Sequence, residues 1–351
     1  MKKIAVIGCG LMGSRHIQAL RALGYDASAV MGRDSEKTKK FALDNGIGEW
    51  ATEFSKLEQM GIGTAHVCTP PGSHFDIVKK ALEAGMNVVC EKPLGLDAQQ
   101  CRMLSDLARE KKAVNAVGFN TRFHAAVQKA REMILGGEIG DVLLVNGSYM
   151  QEFHALPAQL SWRYREKCLA LTEIGSHWID AMRFVTGCEV DEASATFGRF
   201  FPDRTAKDGI QYPLGTVEGK PFHADSENAV IASMKLNGGG LASMVLSEIT
   251  CGKSNRMELC ITGTKGALWW NTDELGTLHS ATKGRTQEIR FDGDFDSSFV
   301  NMFREIYADI ESGGPEERHM YASFDDGLRN CEVCEAMQES EKNQSKWESV
   351  K

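Results

Sequence analysis

Short apolar runs alternate with segments of helical period along the first third of the chain. "KIAVIG", "ASAVM", "TAHVCTP", "NVVCE" and "AVNAVGFN" read as strands buried on both faces. Helical patterns lie between most of them, over residues 14–23, 35–45, 73–84 and 97–112. Ser35, Ser73 and Asp97 stand where N-caps belong, and Gly24, Gly46 and Gly85 where helices stop. Strand-helix alternation of this kind predicts a mostly parallel, doubly wound sheet in an α/β protein.

After about Asn120 the pattern changes. A helical segment over 125–135 ends in Gly136-Gly137, "DVLLVNGSYM" follows as a strand, and a second helix is predicted over 172–185. Strand-like runs then accumulate: "DEASATFGRF", "NAVIASMKL", "GLASMVLSEIT", "RMELCITG" and "ALWWNT", two of them joined through "LNGGGL". They predict a large, mostly antiparallel open sheet covered on one face by helices. Helical patterns over 298–312 and 321–341 close the chain. The expected division is 1–120 for the first domain and 121–351 for the second, with the last helices able to pack back on the first.

Composition narrows the function. The chain of 351 residues is 42% hydrophobic and 25% charged, enough for two domains and a sizeable core. A net charge of −8 gives no basic face for nucleic acid. In "MKKIAVIGCGLMG" glycines interrupt the apolar run too early for a signal peptide, and no later window approaches a membrane span. Several of the ten cysteines lie in apolar runs (Cys68, Cys90, Cys260), as reduced thiols of a cytoplasmic protein do. A single CxxC, Cys331 to Cys334, falls in a helix-like stretch without a second pair, so no metal is expected there.

"VIGCGLMGSRH" places Gly8-x-Gly10-x-x-Gly13, with Leu11 and Met12 inside it, directly after a strand and before a helix. That context is the one a dinucleotide fingerprint requires: a tight turn at Gly8, backbone approach to a pyrophosphate at Gly10, close helix–strand packing at Gly13. The diphosphate would rest on free amides of the helix N-terminus. A plain strand-to-helix turn is the alternative. The second strand ends in Gly32-Arg33-Asp34. Glycine where an acid would grip the ribose 2′-hydroxyl, beside an arginine suited to a 2′-phosphate, favours NADP(H); Asp34 keeps NAD(H) open.

"VIGCGLMGSRH", "CTPPGSHFDIVKKALEAGMNVVCEKPLGLD", "GFNTRF" and "TEIGSHWIDAMRFVTG" together resemble the glucose-fructose oxidoreductase / inositol dehydrogenase / rhizopine catabolism (Gfo/Idh/MocA) family of NAD(P)-dependent sugar dehydrogenases. The resemblance implies a Rossmann domain followed by an open-sheet α/β domain that binds substrate and builds a homodimer or homotetramer. It implies that Thr69, Pro70 and His74 line the cofactor, that Glu91 and Lys92 sit at the nicotinamide with Pro93 after a cis bond, that Asn120 lies near cofactor and substrate, and that His177 is the second catalytic residue.

Lys92 leaves a parallel strand at its carboxyl end, where such sheets bind ligands; a solvated lysine paired with Glu91 is the bland reading. In "LTEIGSHWIDAMRF", Glu173, His177 and Asp180 share one face of a regular helix, so carboxylates could orient the histidine as a general base. The spacing also fits a metal, but a third ligand cannot be placed. Glu173 stands where the family has aspartate, and Cys168-Leu169 replace a small Gly-Gly pair, which makes an inositol-like substrate doubtful. The 150–167 loop offers His154, Trp162, Arg163 and Tyr164 to a sugar ring, or forms an interface or lid. The expected activity is hydride transfer between nicotinamide and a secondary alcohol of a sugar, cyclitol or glycoside. Lys92 would bind the reacting oxygen, His177 carry its proton and Glu173 orient His177. Glycoside cleavage through transient oxidation and a non-catalytic dinucleotide sensor are the alternatives.

Overall fold

A computed structural model describes residues 3–160, 162–165, 170–213, 215–282, 284–314 and 319–351. The Cys168-Leu169 pair lies outside them. The chain divides into two compact units, residues 1–124 with 293–331, and residues 125–292 with 332–351.

The first unit runs β1 (Lys3–Ile7), α1 (Leu11–Ala22), β2 (Ala29–Met31), α2 (Ser35–Asp44), β3 (Glu49–Ala51), α3 (Phe54–Gln59), β4 (Ile62–Val67), α4 (His74–Glu83), β5 (Asn87–Cys90), α5 (Ala98–Lys111) and β6 (Asn115–Val117). Among the described residues its sheet is parallel throughout, in the order β3-β2-β1-β4-β5-β6. Alternation along β1 explains its two cores: Ala5 and Ile7 face the side covered by Val78, Leu82 and Leu104, while Ile4 and Val6 face Ile17, Phe299 and Phe303. Burying each of the larger of these side chains contributes roughly 1.5–3 kcal/mol. The strand β3 and helix α3 are not anticipated by the sequence, because three residues around Trp50 make no apolar run. The cap of α2 is Asp34 instead of Ser35; its carboxylate accepts from Lys37 N at 2.9 Å. Asp97 accepts from Gln100 N at 2.7 Å, and Gly24, Gly46 and Gly85 follow their helices with positive φ.

The second unit contains α6 (Ala125–Leu135), β7 (Val142–Met150), β8 (Ala158–Gln159), α7 (Ser176–Thr186), β9 (Val190–Gly198), β10 (Asp203–Lys207), β11 (Ile210–Pro213), β12 (Lys220–His223), β13 (Ala229–Leu236), β14 (Leu241–Ser247), β15 (Arg256–Gly263), β16 (Gly266–Asn271), β17 (Thr277–Thr282) and β18 (Arg285–Arg290). Helix α8 (Phe295–Ser312) returns to the first unit, α9 (Phe324–Lys342) begins there and from Glu332 belongs to the second, and β19 (Glu348–Ser349) ends the chain. The large sheet has the order β18-β17-β16-β15-β7-β14-β13-β9-β19, antiparallel except where β14 lies parallel to β7. A second sheet, β12-β10-β11-β8, was not legible in the sequence, since its strands are short and polar.

Candidate functional site

In the first unit the strand order reverses between β1 and β4, and the carboxyl ends of all its strands form one edge. Gly8 turns the chain there with φ +116°, and a Cβ on it would lie 2.5 Å from Cys68 O. A Cβ on Gly13 would come within 2.2 Å of Gly8 O, so α1 packs onto the turn as only glycine permits. Gly10 differs: no atom lies within 4 Å of where its Cβ would be. Gly10 caps α1 without a side-chain hydrogen bond, no acid occupies the first helical turn, and Leu11 stands exposed beside half-buried Met12. Backbone amides and an open approach fit a dinucleotide diphosphate.

At the next strand end, a Cβ on Gly32 would meet Thr38 Oγ1 at 2.4 Å and Cys9 Sγ at 2.9 Å. No carboxylate fits there without displacing its neighbours. Arg33 is exposed, and Asp34 spends one oxygen on the α2 cap.

Past β4, Thr69 is half-buried and Pro70 exposed; Thr69 Oγ1 accepts from Ser73 Oγ at 2.8 Å. His74 is fully buried, with its ring nitrogens 2.7 Å from Pro93 O and from Thr69 O. Two carbonyl acceptors favour a protonated ring, but burial outweighs them and holds His74 below its ordinary range. A neutral His74 donates from one nitrogen only, so it ties the loop through one of these two carbonyls while the other nitrogen faces the second. The Lys92–Pro93 bond is cis. Glu91 is buried at the β5 exit, its Oε1 3.1 Å from His16 Nε2, and Lys92 beside it is half-buried. Asn120, buried in the turn after β6, donates from Nδ2 to Ser298 Oγ at 2.8 Å.

In the second unit a π-helical turn, Leu171–Gly175, runs directly into α7. The expectation of one regular helix is corrected here: Leu171–Gly175 is a wider π-helical turn, and Asp180 is wholly buried while Glu173 and His177 are half-exposed. Glu227 anchors the turn, its Oε1 accepting from Leu171 N at 2.8 Å. Trp178 anchors α7, donating from Nε1 to Glu258 O of β15 at 2.9 Å. Arg163, stacked over Trp162 at 4.6 Å, donates to Glu173 Oε1 at 3.1 Å.

Sequence reasoning missed Tyr149, whose ring lies 6.4 Å from that of His177. Its hydroxyl donates to Asn255 Oδ1 at 2.8 Å, which also receives Gln151 Nε2 at 2.8 Å. Burial foremost, then the charges of Glu173 and Glu248, push the Tyr149 phenol up. The available signal was the inward parity of Tyr149 on β7. His154 is buried, 2.9 Å from Glu248 Oε2, with its ring 4.9 Å from Tyr164. Arg204 donates to His154 O at 2.8 Å and lies over Tyr164 at 5.2 Å. Among the described residues no group of three metal-ligating side chains occurs, and no helix is long and apolar enough to cross a membrane.

Residues 2–119 match the model of an oxidoreductase family with an NAD-binding Rossmann fold, and residues 127–269 match the GFO/IDH/MocA C-terminal domain. Levoglucosan dehydrogenase of Pseudarthrobacter phenanthrenivorans is 29% identical over 79% of this chain and 75% of its own length. Inositol 2-dehydrogenase of Rhizobium meliloti is 26% identical over 88% and 87%. The solved levoglucosan dehydrogenase with NADH and L-sorbose superposes with a TM-score of 0.92 at 24% identity, covering 100% of this chain and 99% of its own.

Proposed function

Because this chain belongs to the Gfo/Idh/MocA oxidoreductase family, we propose that it exchanges hydride between nicotinamide and the secondary carbinol carbon of a sugar, cyclitol or glycoside. It is an NAD-binding oxidoreductase acting on CH–OH groups. The observation that carries the residue assignment is the position of Glu91-Lys92 at the β5 exit, on the same strand-end edge as the open Gly8-Gly10-Gly13 turn.

Bound nicotinamide supplies the hydride acceptor or donor. The amides at the start of α1 hold the diphosphate, and Thr69, Pro70 and Asn120 border the cofactor. Lys92 hydrogen-bonds the reacting oxygen and stabilises its alkoxide character. His177 removes the hydroxyl proton, or returns it in the reductive direction, and Glu173, itself tied to Arg163, positions His177. Trp162 and Arg163 receive the sugar ring, while buried His154 packs against Tyr164 of the same segment. NADP(H) is favoured over NAD(H), because Gly32 leaves no acid at the strand end, Asp34 is engaged as a cap, and Arg33 is free to meet a 2′-phosphate.

The outer face of the large sheet carries exposed Leu144, Leu241, Val245 and Ile231 in register, an apolar face suited to a homodimer or homotetramer. Buried free thiols such as Cys68, Cys90 and Cys101 suit a reducing cytoplasm.

Lys92→Ala and His177→Ala test the assignment in a sugar and polyol screen run with NADP and NAD in parallel. Each variant should keep dinucleotide binding and lose roughly 10²-fold or more of turnover. Undiminished turnover in both would overturn it.

A further inference from the structure

Hydride transfer leaves unused a line of buried polar side chains in the first unit. Tyr307 of α8 places its hydroxyl 2.9 Å from His66 Nε2 on β4. His66 Nδ1 lies 3.0 Å from His16 Nδ1 on α1, and His16 Nε2 lies 3.1 Å from Glu91 Oε1. All four groups are buried. Gly118 seats the far end: a Cβ on it would touch Glu91 Oε1 at 2.8 Å.

We propose that Tyr307, His66 and His16 form a one-directional chain of hydrogen-bond donors that ends on Glu91 and holds its carboxylate as an ionised acceptor beside Lys92. The inference rests on the reading that Glu91 and Lys92 face the nicotinamide.

The direction follows from counting protons. A carboxylate only accepts, so His16 Nε2 carries hydrogen and donates to it. A neutral His16 then accepts at Nδ1, which requires His66 to donate from Nδ1 and accept at Nε2, and Tyr307 to donate. Burial keeps both middle and end groups in the required state: it holds His66 far below its ordinary range, helped by His16, and pushes the Tyr307 phenol up. One proton added to the Glu91–His16 pair reverses the whole line, because His16 would then donate from Nδ1, His66 from Nε2, and Tyr307 would accept. In either polarity His16 Nε2 donates to Glu91, so the carboxylate keeps its acceptor role.

Other groups facing Glu91 do not compete. Cys68 at the β4 exit and Cys90 of β5 are pushed up by burial and stay neutral, and His74 of α4 is held down by burial. On the far side, Tyr25 stacks on Tyr307 with centroids 4.5 Å apart and donates to Glu311 instead of to the line.

An ionised Glu91 favours the cationic ring of NAD+ over the neutral ring of NADH, so the ratio of their dissociation constants reads its charge. In the native chain, nitrogen-15 spectra of labelled histidines should place the His66 proton on Nδ1, and Glu91→Gln should weaken NAD+ binding relative to NADH. Tyr307→Phe removes one oxygen and keeps the ring. It should keep the His66 proton on Nδ1, where His16 Nδ1 still needs a donor, and shift the His66 Nε2 resonance as that nitrogen loses the Tyr307 hydrogen bond. Tyr25→Phe, outside the line, should change neither. A native His66 proton on Nε2, or an unshifted His66 Nε2 resonance in Tyr307→Phe, overturns the proposal. Absence of dinucleotide binding in the native chain would instead overturn the cofactor reading, and the His66 tautomer would still decide the line.

Discussion

Lys92 and His124 show how burial assigns different tasks to single side chains. Lys92 stops half-buried at a strand exit, reachable by a ligand. His124 is buried at the end of the first unit's opening segment, where desolvation holds it at about 4 despite the nearby carboxylate of Asp294. The unfolded chain therefore binds a proton near pH 6.5 that the folded protein refuses until about pH 4. Stability is full above the unfolded value and drains as pH falls through that window, by about 3 kcal/mol. Urea midpoints of His124→Gln across that range should fall less steeply with decreasing pH than those of the native chain; parallel slopes would refute the attribution. The glycine fingerprint was readable at this scale because its spacing falls between a strand and a helix, and Gly13 packs directly onto Gly8 within the motif. The roles of His16, His66 and His74 were not, because their partners come from strands and helices remote in sequence.

At the scale of elements, α7 matters most, since it carries His177. Its register depends on Trp178, whose indole N–H is the donor to Glu258 O across the packed face of β15. Trp178→Phe should cost about 1–3 kcal/mol in thermal or denaturant unfolding, because a buried carbonyl loses its donor. The same variant should lower kcat more than dinucleotide affinity, since the cofactor turn belongs to the other unit. A change confined to cofactor affinity would count against this role. Periodicity correctly announced a helix around His177. It could not announce the π-helical turn at Leu171–Gly175, which is set by Glu227 holding Leu171 and by Gly175 lying where a Cβ would meet Leu246 at 2.6 Å.

For the whole molecule, the large sheet exposes Leu144, Leu241, Val245 and Ile231 side by side on one face. Ile231→Glu combined with Leu241→Glu should convert an assembled protein into monomers by light scattering, with the native circular dichroism retained. An unchanged mass would remove that face as the interface. The alternation of strands and helices, the glycine turn and the "EKP" exit were determined by the sequence itself, because hydrophobic period, glycine sterics and strand ends are local properties. Tertiary structure alone decided that Trp178 meets Glu258 O, that Glu227 holds Leu171, and that Tyr307 reaches His66 in a line to Glu91. Those are contacts between distant segments. Their geometry exists only once two cores have packed, and no spacing along the chain encodes it.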